Sequence, residues 1–170
     1  MHALKQLSAV AIPRALQKAE RYRLINQPWA AESICLDVVA VDPTNQAAWK
    51  ALLLARTDQF RGARMAEAVE RARAVLEHLA DEYERAYYAG MIAERRAMAK
   101  LEEGMPGAGA IARSLLEEAM LAYEDAAGRR VEGNDDALLR WNTCARLLNE
   151  APQLAQQRPG QDDDLPIMNE

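Results

Sequence analysis

The chain has 170 residues and a formal net charge of −5, which fits one domain or a short array of helical repeats. Alanine supplies 34 residues and leucine 20, whereas Val, Ile and Thr together total only 16, so an all-β fold is excluded and a doubly wound α/β fold is disfavoured. No apolar run is long enough to cross a membrane, and a pI near 5.2 argues against nonspecific binding to nucleic acid.

Apolar residues recur at helical spacing through most of the chain, so the sequence predicts an all-α fold. Pro13 and Pro28 are each expected in the first turn of a helix, where proline is favoured. Asn134 to Asp136 offer N-cap candidates for the last helix. In chain order, the predicted helices cover about 13–25, 28–41, 46–60, 63–79, 81–103, 110–126 and 134–150.

The helix starts suggest a repeat of 33 or 34 residues, since Pro28 and Gly62 are 34 apart and Pro13 and Gln46 are 33 apart. Residues 12–79 resemble two tetratricopeptide (TPR) repeats, each of which is a helical hairpin. Small, aromatic and apolar residues stand at the offsets of the family pattern. In the first unit they are Ala15, Ala19, Tyr22, Ala31, Cys35, Val38 and Pro43, and in the second Trp49, Leu52, Leu53, Met65, Val69 and Ala72.

A third, looser unit follows, and a final helix resembles the helix that caps such arrays. The third unit has a hairpin about ten residues longer than the family unit. The residues that fit the pattern are, in its first helix, Ala86, Ala89, Gly90 and Ala93, and in its second helix Ala112, Leu116 and Ala119. Those of the capping helix are Ala137, Trp141 and Cys144. Arg56 replaces the tyrosine of the second unit and Glu77 its closing proline. The alternative is an irregular helical bundle, which would use the same small residues for close packing.

The resemblance implies a concave groove, lined by the first helices of the units, that holds an extended peptide or a helix of another protein. Leu54 occupies a position where the chaperone-binding members have an amide, so their clamp is not expected here. Basic and amide side chains in the groove would suit an acidic partner. The groove positions of the family correspond to Arg23, Lys50, Tyr87, Met91, Arg95, Asn142 and Arg146.

Residues that carry chemistry are sparse. A metal site needs three or four convergent ligands, and the two histidines, His2 and His78, stand apart with no ligand spacing around them. Neighbouring acidic residues on a helix point about 100° apart, so pairs such as Glu117-Glu118 indicate solvated faces. We therefore expect no enzyme, no metal and no cofactor.

The two ends of the chain differ in charge. Residues 1–26 carry +4 and residues 151–170 carry −3. The sequence predicts an N-terminal extension over 1–11, with or without helix, a TPR-like domain over 12–150, and a disordered acidic tail over 151–170. Asp162 to Asp164 precede the apolar cluster Leu165 to Met168, which suggests either a docking segment for a basic groove or a solubilising tail.

We expect a protein-binding adaptor, assembly factor or chaperone-like module. The partner is another protein, with no nucleic acid and no membrane, and self-association as a homo-oligomer stays open. The start of the chain carries no persuasive secretory signal. Cys35 and Cys144 are expected to be unpaired core residues, so the expected location is cytoplasmic. The alternatives are a small helical enzyme or ligand-binding bundle, and a self-associating structural repeat.

Overall fold

A computed structural model describes residues 2–150, and in this range the protein contains helices and no strand. The prediction of an all-α fold is confirmed. Three short 3-10 turns, at Ala9–Ala11, Gly62–Arg64 and Leu76–His78, accompany the α-helices. The α-helices are α1 (Ile12–Leu24), α2 (Pro28–Val41), α3 (Gln46–Thr57), α4 (Met65–Val75), α5 (Glu82–Glu103), α6 (Ala108–Arg129) and α7 (Asp136–Glu150).

Side-chain caps stabilise the starts of two helices, α3 and α5. At the start of α3, the Asn45 side chain accepts a hydrogen bond from the Ala48 backbone N–H at 3.0 Å. At the start of α5, Asp81 accepts one from the Tyr83 backbone N–H at 2.7 Å. Each cap satisfies a donor that the first turn of a helix leaves unpaired. Gly104, with φ +62°, ends α5 in the left-handed region that glycine favours.

The boundaries of α4 and α6 differ from the sequence prediction. The predicted helix over 63–79 is an α-helix only from Met65 to Val75, with a 3-10 turn at each end. Apolar periodicity overestimated its length because Leu79, beyond the helix, is also buried in the core. The α6 helix begins earlier and ends later than predicted, and Gly128 lies within its last turn.

The helices run alternately up and down, so α1, α3, α5 and α7 are parallel to one another. Short connections join helices that pack together, and the α5–α6 hairpin has the most extensive contact. Near the start of α3, Lys50 contacts Glu84 near the start of α5. At the end of α3, Asp58 contacts Arg95, which lies further along α5. The two helices therefore run in the same direction. We call the side of the molecule formed by α1, α3, α5 and α7 the odd-helix face.

Buried apolar residues form two clusters along the array. The first lies among α1 to α4 and includes Ile92 and Ala99 of α5, and the second lies among α5, α6 and α7. Tyr123 and Leu116 are the largest fully buried side chains of the second cluster. The two clusters share α5, so this long helix connects the N-terminal and C-terminal parts of the array.

Many alanines occupy the helix interfaces, as their abundance predicted. Ala31 and Ala72, which the sequence placed at close contacts between helices, are both 0% exposed. A methyl side chain lets two helix backbones approach closely, whereas a larger side chain there would force the helices apart. The other buried alanines are Ala19, Ala48, Ala55, Ala68, Ala93, Ala97, Ala99, Ala108, Ala112, Ala119, Ala126 and Ala137.

The two predicted terminal segments have different outcomes. In the extension over 1–11, the only regular element among the described residues is the 3-10 turn at Ala9–Ala11. The predicted acidic tail over 151–170 lies outside the described residues.

Candidate functional site

Polar side chains connect neighbouring helices across the odd-helix face. The Arg23 guanidinium of α1 donates to both carboxylate oxygens of Asp58, at 2.7 and 3.3 Å. Lys50 of α3 donates to Glu84 of α5 at 2.7 Å. These contacts join residues that are 35 and 34 positions apart in the chain. Opposite charges one predicted repeat apart therefore hold adjacent hairpins together on this face.

Three arginines donate hydrogen bonds to Asp58 at the end of α3, two of them to its carboxylate and one to its backbone carbonyl. Asp58 accepts hydrogen bonds from Arg23 and from Arg95, and Arg95 also donates to the Thr57 hydroxyl at 2.8 Å. Arg61, in the loop after α3, donates to the Asp58 backbone carbonyl at 3.3 Å. We call Arg23, Arg61 and Arg95 the arginine cluster. The cluster carries three positive charges, whereas Asp58, which Arg23 and Arg95 share, carries one negative charge.

The arginine cluster borders an open pocket of about 390 Å³. Arg61 and Arg95 line this pocket together with Met98 and Phe60, so it combines positive charge with apolar surface. Glu102 contributes a second acidic side chain to the lining. With Asp58 and Glu102 counted against the three arginines, the local charge remains positive. An acidic group with an adjacent apolar residue fits these surroundings.

The structure brings three of the predicted groove residues onto the odd-helix face, but it also gives each a partner. Arg23 and Arg95 share Asp58, and Lys50 is paired with Glu84. The sequence analysis expected these cations to be available to an acidic partner. Internal acids instead neutralise Lys50 and part of the arginine cluster.

Two other predicted residues contribute mainly to packing. Tyr87 is half-buried among aromatic rings, with ring centroids 5.9 Å from Tyr83, 5.3 Å from Tyr88 and 5.7 Å from Tyr123. Met91 is 5% exposed, so a bound partner would have almost no surface of it to contact. These residues stabilise the array in the region where the resemblance implied a contact surface.

The last two predicted residues lie on α7. Asn142 is half-buried and Arg146 is exposed, and the structure gives neither a hydrogen bond or ion pair to another residue of 2–150. They lie on the same helix as Arg140, which binds Glu94 of α5. The α7 end of the odd-helix face therefore offers one exposed cation apart from the arginine cluster.

The sequence analysis missed Asp58, Arg61 and Glu84, which complete the polar contacts on this face. The predicted helix over 46–60 included Asp58, whereas α3 ends at Thr57, so Asp58 and Arg61 both belong to the segment that follows it. The sequence did contain a signal for these contacts, because Asp58 follows Arg23 by 35 residues and Glu84 follows Lys50 by 34. A search for opposite charges one repeat apart would have found both pairs.

A buried polar network joins α5, α6 and α7 behind the odd-helix face. The Tyr123 hydroxyl donates to one oxygen of Glu94 at 2.6 Å, and Arg140 donates to the other at 3.0 Å. Burial, followed by the negative charge of Glu94, raises the pKa of Tyr123 well above its ordinary value. The network satisfies a carboxylate that would otherwise be costly to bury, so its role is structural.

The candidates for chemistry have ordinary surroundings. His78 is exposed and its ring stacks on Trp49, with centroids 3.9 Å apart and planes 3° apart. Both cysteines are buried and unpaired, and burial raises the pKa of Cys35 to about 11 and of Cys144 to about 12, so the thiols stay protonated. Among residues 2–150, no group of three His, Cys, Asp or Glu side chains could hold a metal ion.

A larger cleft of about 710 Å³ lies between α4, α5 and the start of α6. It forms because α5 and α6 have 22 residues each and extend past α4, which has 11. Met105 and Ile111, which line the cleft, are 65% and 50% exposed. Its cations Arg96 and Lys100 have acidic partners in Glu118 and Glu103. The cleft is apolar with a charge-balanced rim.

The helices between residues 2 and 150 include none with the length and apolarity that crossing a membrane requires. Comparison with known proteins gave no match, because no protein-family model, no curated protein and no solved structure is significantly similar to this chain.

Proposed function

We propose that the chain is a protein-binding module of TPR type that holds an acidic segment of a partner protein on its odd-helix face. The observation that carries this proposal is the arginine cluster, where two guanidinium groups share the Asp58 carboxylate and a third, that of Arg61, lies beside them at an open pocket. Guanidinium groups bind carboxylates through two parallel hydrogen bonds, which gives both affinity and orientation. Arg61 has no carboxylate partner among residues 2–150, so it is the first contact we assign to the partner.

The hairpin packing supports the TPR part of this proposal. Two contacts between successive odd helices join residues 34 or 35 apart, Lys50 with Glu84 and Arg23 with Asp58, whereas Asp58 with Arg95 and Glu94 with Arg140 are 37 and 46 apart. The side chain of Gln46 adds a contact of the first kind to the loop before α5, since it accepts a hydrogen bond from the Ala80 backbone N–H, 34 residues later. A recurring offset of this size is what a stack of 34-residue hairpins requires.

The proposal assigns the chain a binding role and no reaction, in the cytoplasm. Two buried, unpaired thiols suit a reducing compartment. Within the proposed complex, Arg95 and Arg61 hold an acidic side chain of the partner, while Met98 contacts an apolar neighbour. Asn142 and Arg146 extend the contact along α7.

The proposal can be tested with a fluorescent peptide of alternating acidic and leucine residues, whose binding is followed by anisotropy. We expect Arg61→Glu to weaken binding by about tenfold or more, because it places a repelling charge at the pocket. Arg61 is exposed and lies in a loop, so the variant should fold. Arg129→Gln is the matched control, since Arg129 pairs with Glu82 and Asp125 away from the cluster.

The same variants should then be used to capture partner proteins from cell extract. We expect the captured set to be unchanged with Arg129→Gln and depleted of at least one specific protein with Arg61→Glu. Equal peptide binding by wild type and Arg61→Glu, together with identical captured proteins, would contradict the proposal.

A further inference from the structure

One side of α1 presents positive charge that the described residues leave unneutralised. Arg14, Lys18 and Arg21 are exposed and lie three or four residues apart, so they share one side of the helix. We call this surface, completed by Tyr22 and Ile25, the basic face. We propose that residues 162–168 of the same chain dock on the basic face. This inference is independent of the arginine cluster and goes beyond the proposed function.

The basic face forms a shallow pocket of about 560 Å³, and the described residues that line it include no acid. None of its three cations has an ion pair with another residue of 2–150. Arg23, two residues after Arg21, instead binds Asp58 through two hydrogen bonds. Three like charges within two helical turns repel one another, so an acidic ligand would stabilise this part of α1.

Apolar surface accompanies the charge on the basic face. Ile25 is 61% exposed at the end of α1. The Lys18 ammonium lies 5.8 Å from the centroid of the half-buried Tyr22 ring. The pocket therefore provides cations along α1, and an aromatic and an aliphatic side chain near the C-terminal end of that helix. A complementary ligand carries several acids followed by apolar residues.

The C-terminal part of the chain has this composition. Asp162, Asp163 and Asp164 supply three negative charges, equal to the three positive charges of the basic face. The apolar stretch Leu165 to Met168 follows at once and matches the exposed surface of Tyr22 and Ile25. The segment therefore matches the basic face both in the number of charges and in the order of charged and apolar groups.

The segment is long enough to reach the basic face of its own chain. Because α1 and α7 are parallel, the C-terminal ends of both lie at the same end of the array. Side-chain contacts join α1 to α3, α3 to α5 and α5 to α7, so three helix spacings of about 10 Å each separate α1 from α7 by roughly 30 Å. The eleven residues between Glu150 and Asp162 span up to about 40 Å when extended. Docking within one molecule therefore needs no rearrangement of the helices.

Carbodiimide cross-linking of the full chain tests the proposal, because the reagent joins a lysine amine to a carboxylate in contact with it. The chain has only four lysines, at positions 5, 18, 50 and 100, so the linked peptides are easily assigned by mass spectrometry. Lys50 and Glu84, 2.7 Å apart, supply an internal positive control. We expect a link between Lys18 and one of Asp162 to Asp164 that weakens in about 1 M salt, where the Debye length is about 3 Å.

Charge variants give the matched controls. In the combined variant Asp162→Asn, Asp163→Asn and Asp164→Asn, the Lys18 link should disappear while the Lys50–Glu84 link persists. Arg14→Glu with Arg21→Glu should reduce the Lys18 link at least about fivefold, since the change reverses the local field. Adding Asp162→Lys and Asp164→Lys to that variant should restore a cross-link between the basic face and residues 162–168. The link would then join an introduced lysine to a glutamate introduced at position 14 or 21.

A mixture of isotopically heavy and light chains separates docking within one molecule from docking between molecules. We expect the Lys18 link to join only peptides of the same isotope. A Lys50–Glu84 link without any link from Lys18 to residues 162–164 would overturn the proposal. Heavy–light links alone would also overturn it and would assign the segment to the basic face of a second copy.

Discussion

Gly90 lies at a close contact between α5 and α6, and replacing it tests how tightly these helices pack. A Cβ atom built on Gly90 would lie 2.8 Å from two ring carbons of Tyr123 and 3.1 Å from the Ala119 carbonyl oxygen. Ordinary carbon–carbon contacts are about 3.5–4.0 Å. Tyr123 is fully buried and its hydroxyl is bound to Glu94, so the ring has no room to move aside.

The magnitude for Gly90→Ala follows from three opposing contributions. Overpacking of a core costs about 1–3 kcal/mol, and a shift of Tyr123 would weaken a hydrogen bond to a charged group worth about 1.5–3 kcal/mol. Alanine gains about 1 kcal/mol over glycine in a helix interior. We expect a net loss of about 2 kcal/mol in the free energy of unfolding, or a Tm lower by roughly 4–8 °C.

Gly128→Ala is the matched control for this prediction. Gly128 also lies within a helix, but a Cβ atom added to it would meet no other atom within 4 Å. The same substitution should therefore raise the free energy of unfolding by up to about 1 kcal/mol. Urea denaturation followed by circular dichroism measures both variants. A Gly90→Ala protein as stable as Gly128→Ala would refute the close packing of α5 on α6.

Three further predictions concern the core. Tyr123→Phe removes a hydrogen bond to the buried Glu94 and should lower the free energy of unfolding, measured by urea denaturation, by about 1.5–3 kcal/mol. The control is Tyr88→Phe, because the Tyr88 hydroxyl has no hydrogen bond to a residue of 2–150. Its free energy of unfolding should stay within about 0.5 kcal/mol of the wild-type value. Ala72→Leu adds bulk at a fully buried helix contact and should lower stability by about 1–3 kcal/mol; an unchanged melting curve would contradict the hairpin packing. Burial raises the pKa of Cys35 from 9.0 to about 11, so the unfolded chain loses its thiol proton first and stability should fall as the pH rises from 9 to 11. Cys35→Ala should make that fall less steep without abolishing it, because burial also raises the pKa of Cys144, to about 12. Denaturation curves at several pH values would show an unchanged slope if the Cys35 thiol were not involved.

Local sequence patterns predicted the positions of the helices because the signals are themselves local. Proline in the first turn and apolar periodicity act within a few residues of one another. They therefore predicted approximate positions for the seven α-helices that the structure describes within residues 2–150. The pattern failed at α4, where Leu79 is buried although it lies outside the α-helix. A buried position requires an apolar residue in a turn as well as in a helix, so an apolar residue at helical spacing does not show where the helix ends.

The candidate site was less predictable, because its chemistry depends on contacts between residues far apart in the chain. The resemblance to TPR proteins pointed to Arg23, Lys50 and Arg95, and it stays a prediction. It could not reveal that Asp58 and Glu84 neutralise these cations across α1, α3 and α5. Ion pairs of this kind form only when packing brings distant residues within a few ångströms.

The sequence by itself determined that this protein is helical and that its helices pack closely, because alanine both favours the helix and leaves room at its contacts. Only the tertiary structure decided which charges remain available to a partner. It buried Met91, paired Lys50, and left Arg61 and the basic face of α1 without a described acidic partner. Availability depends on the neighbours that folding brings to each side chain, and local patterns do not specify those neighbours.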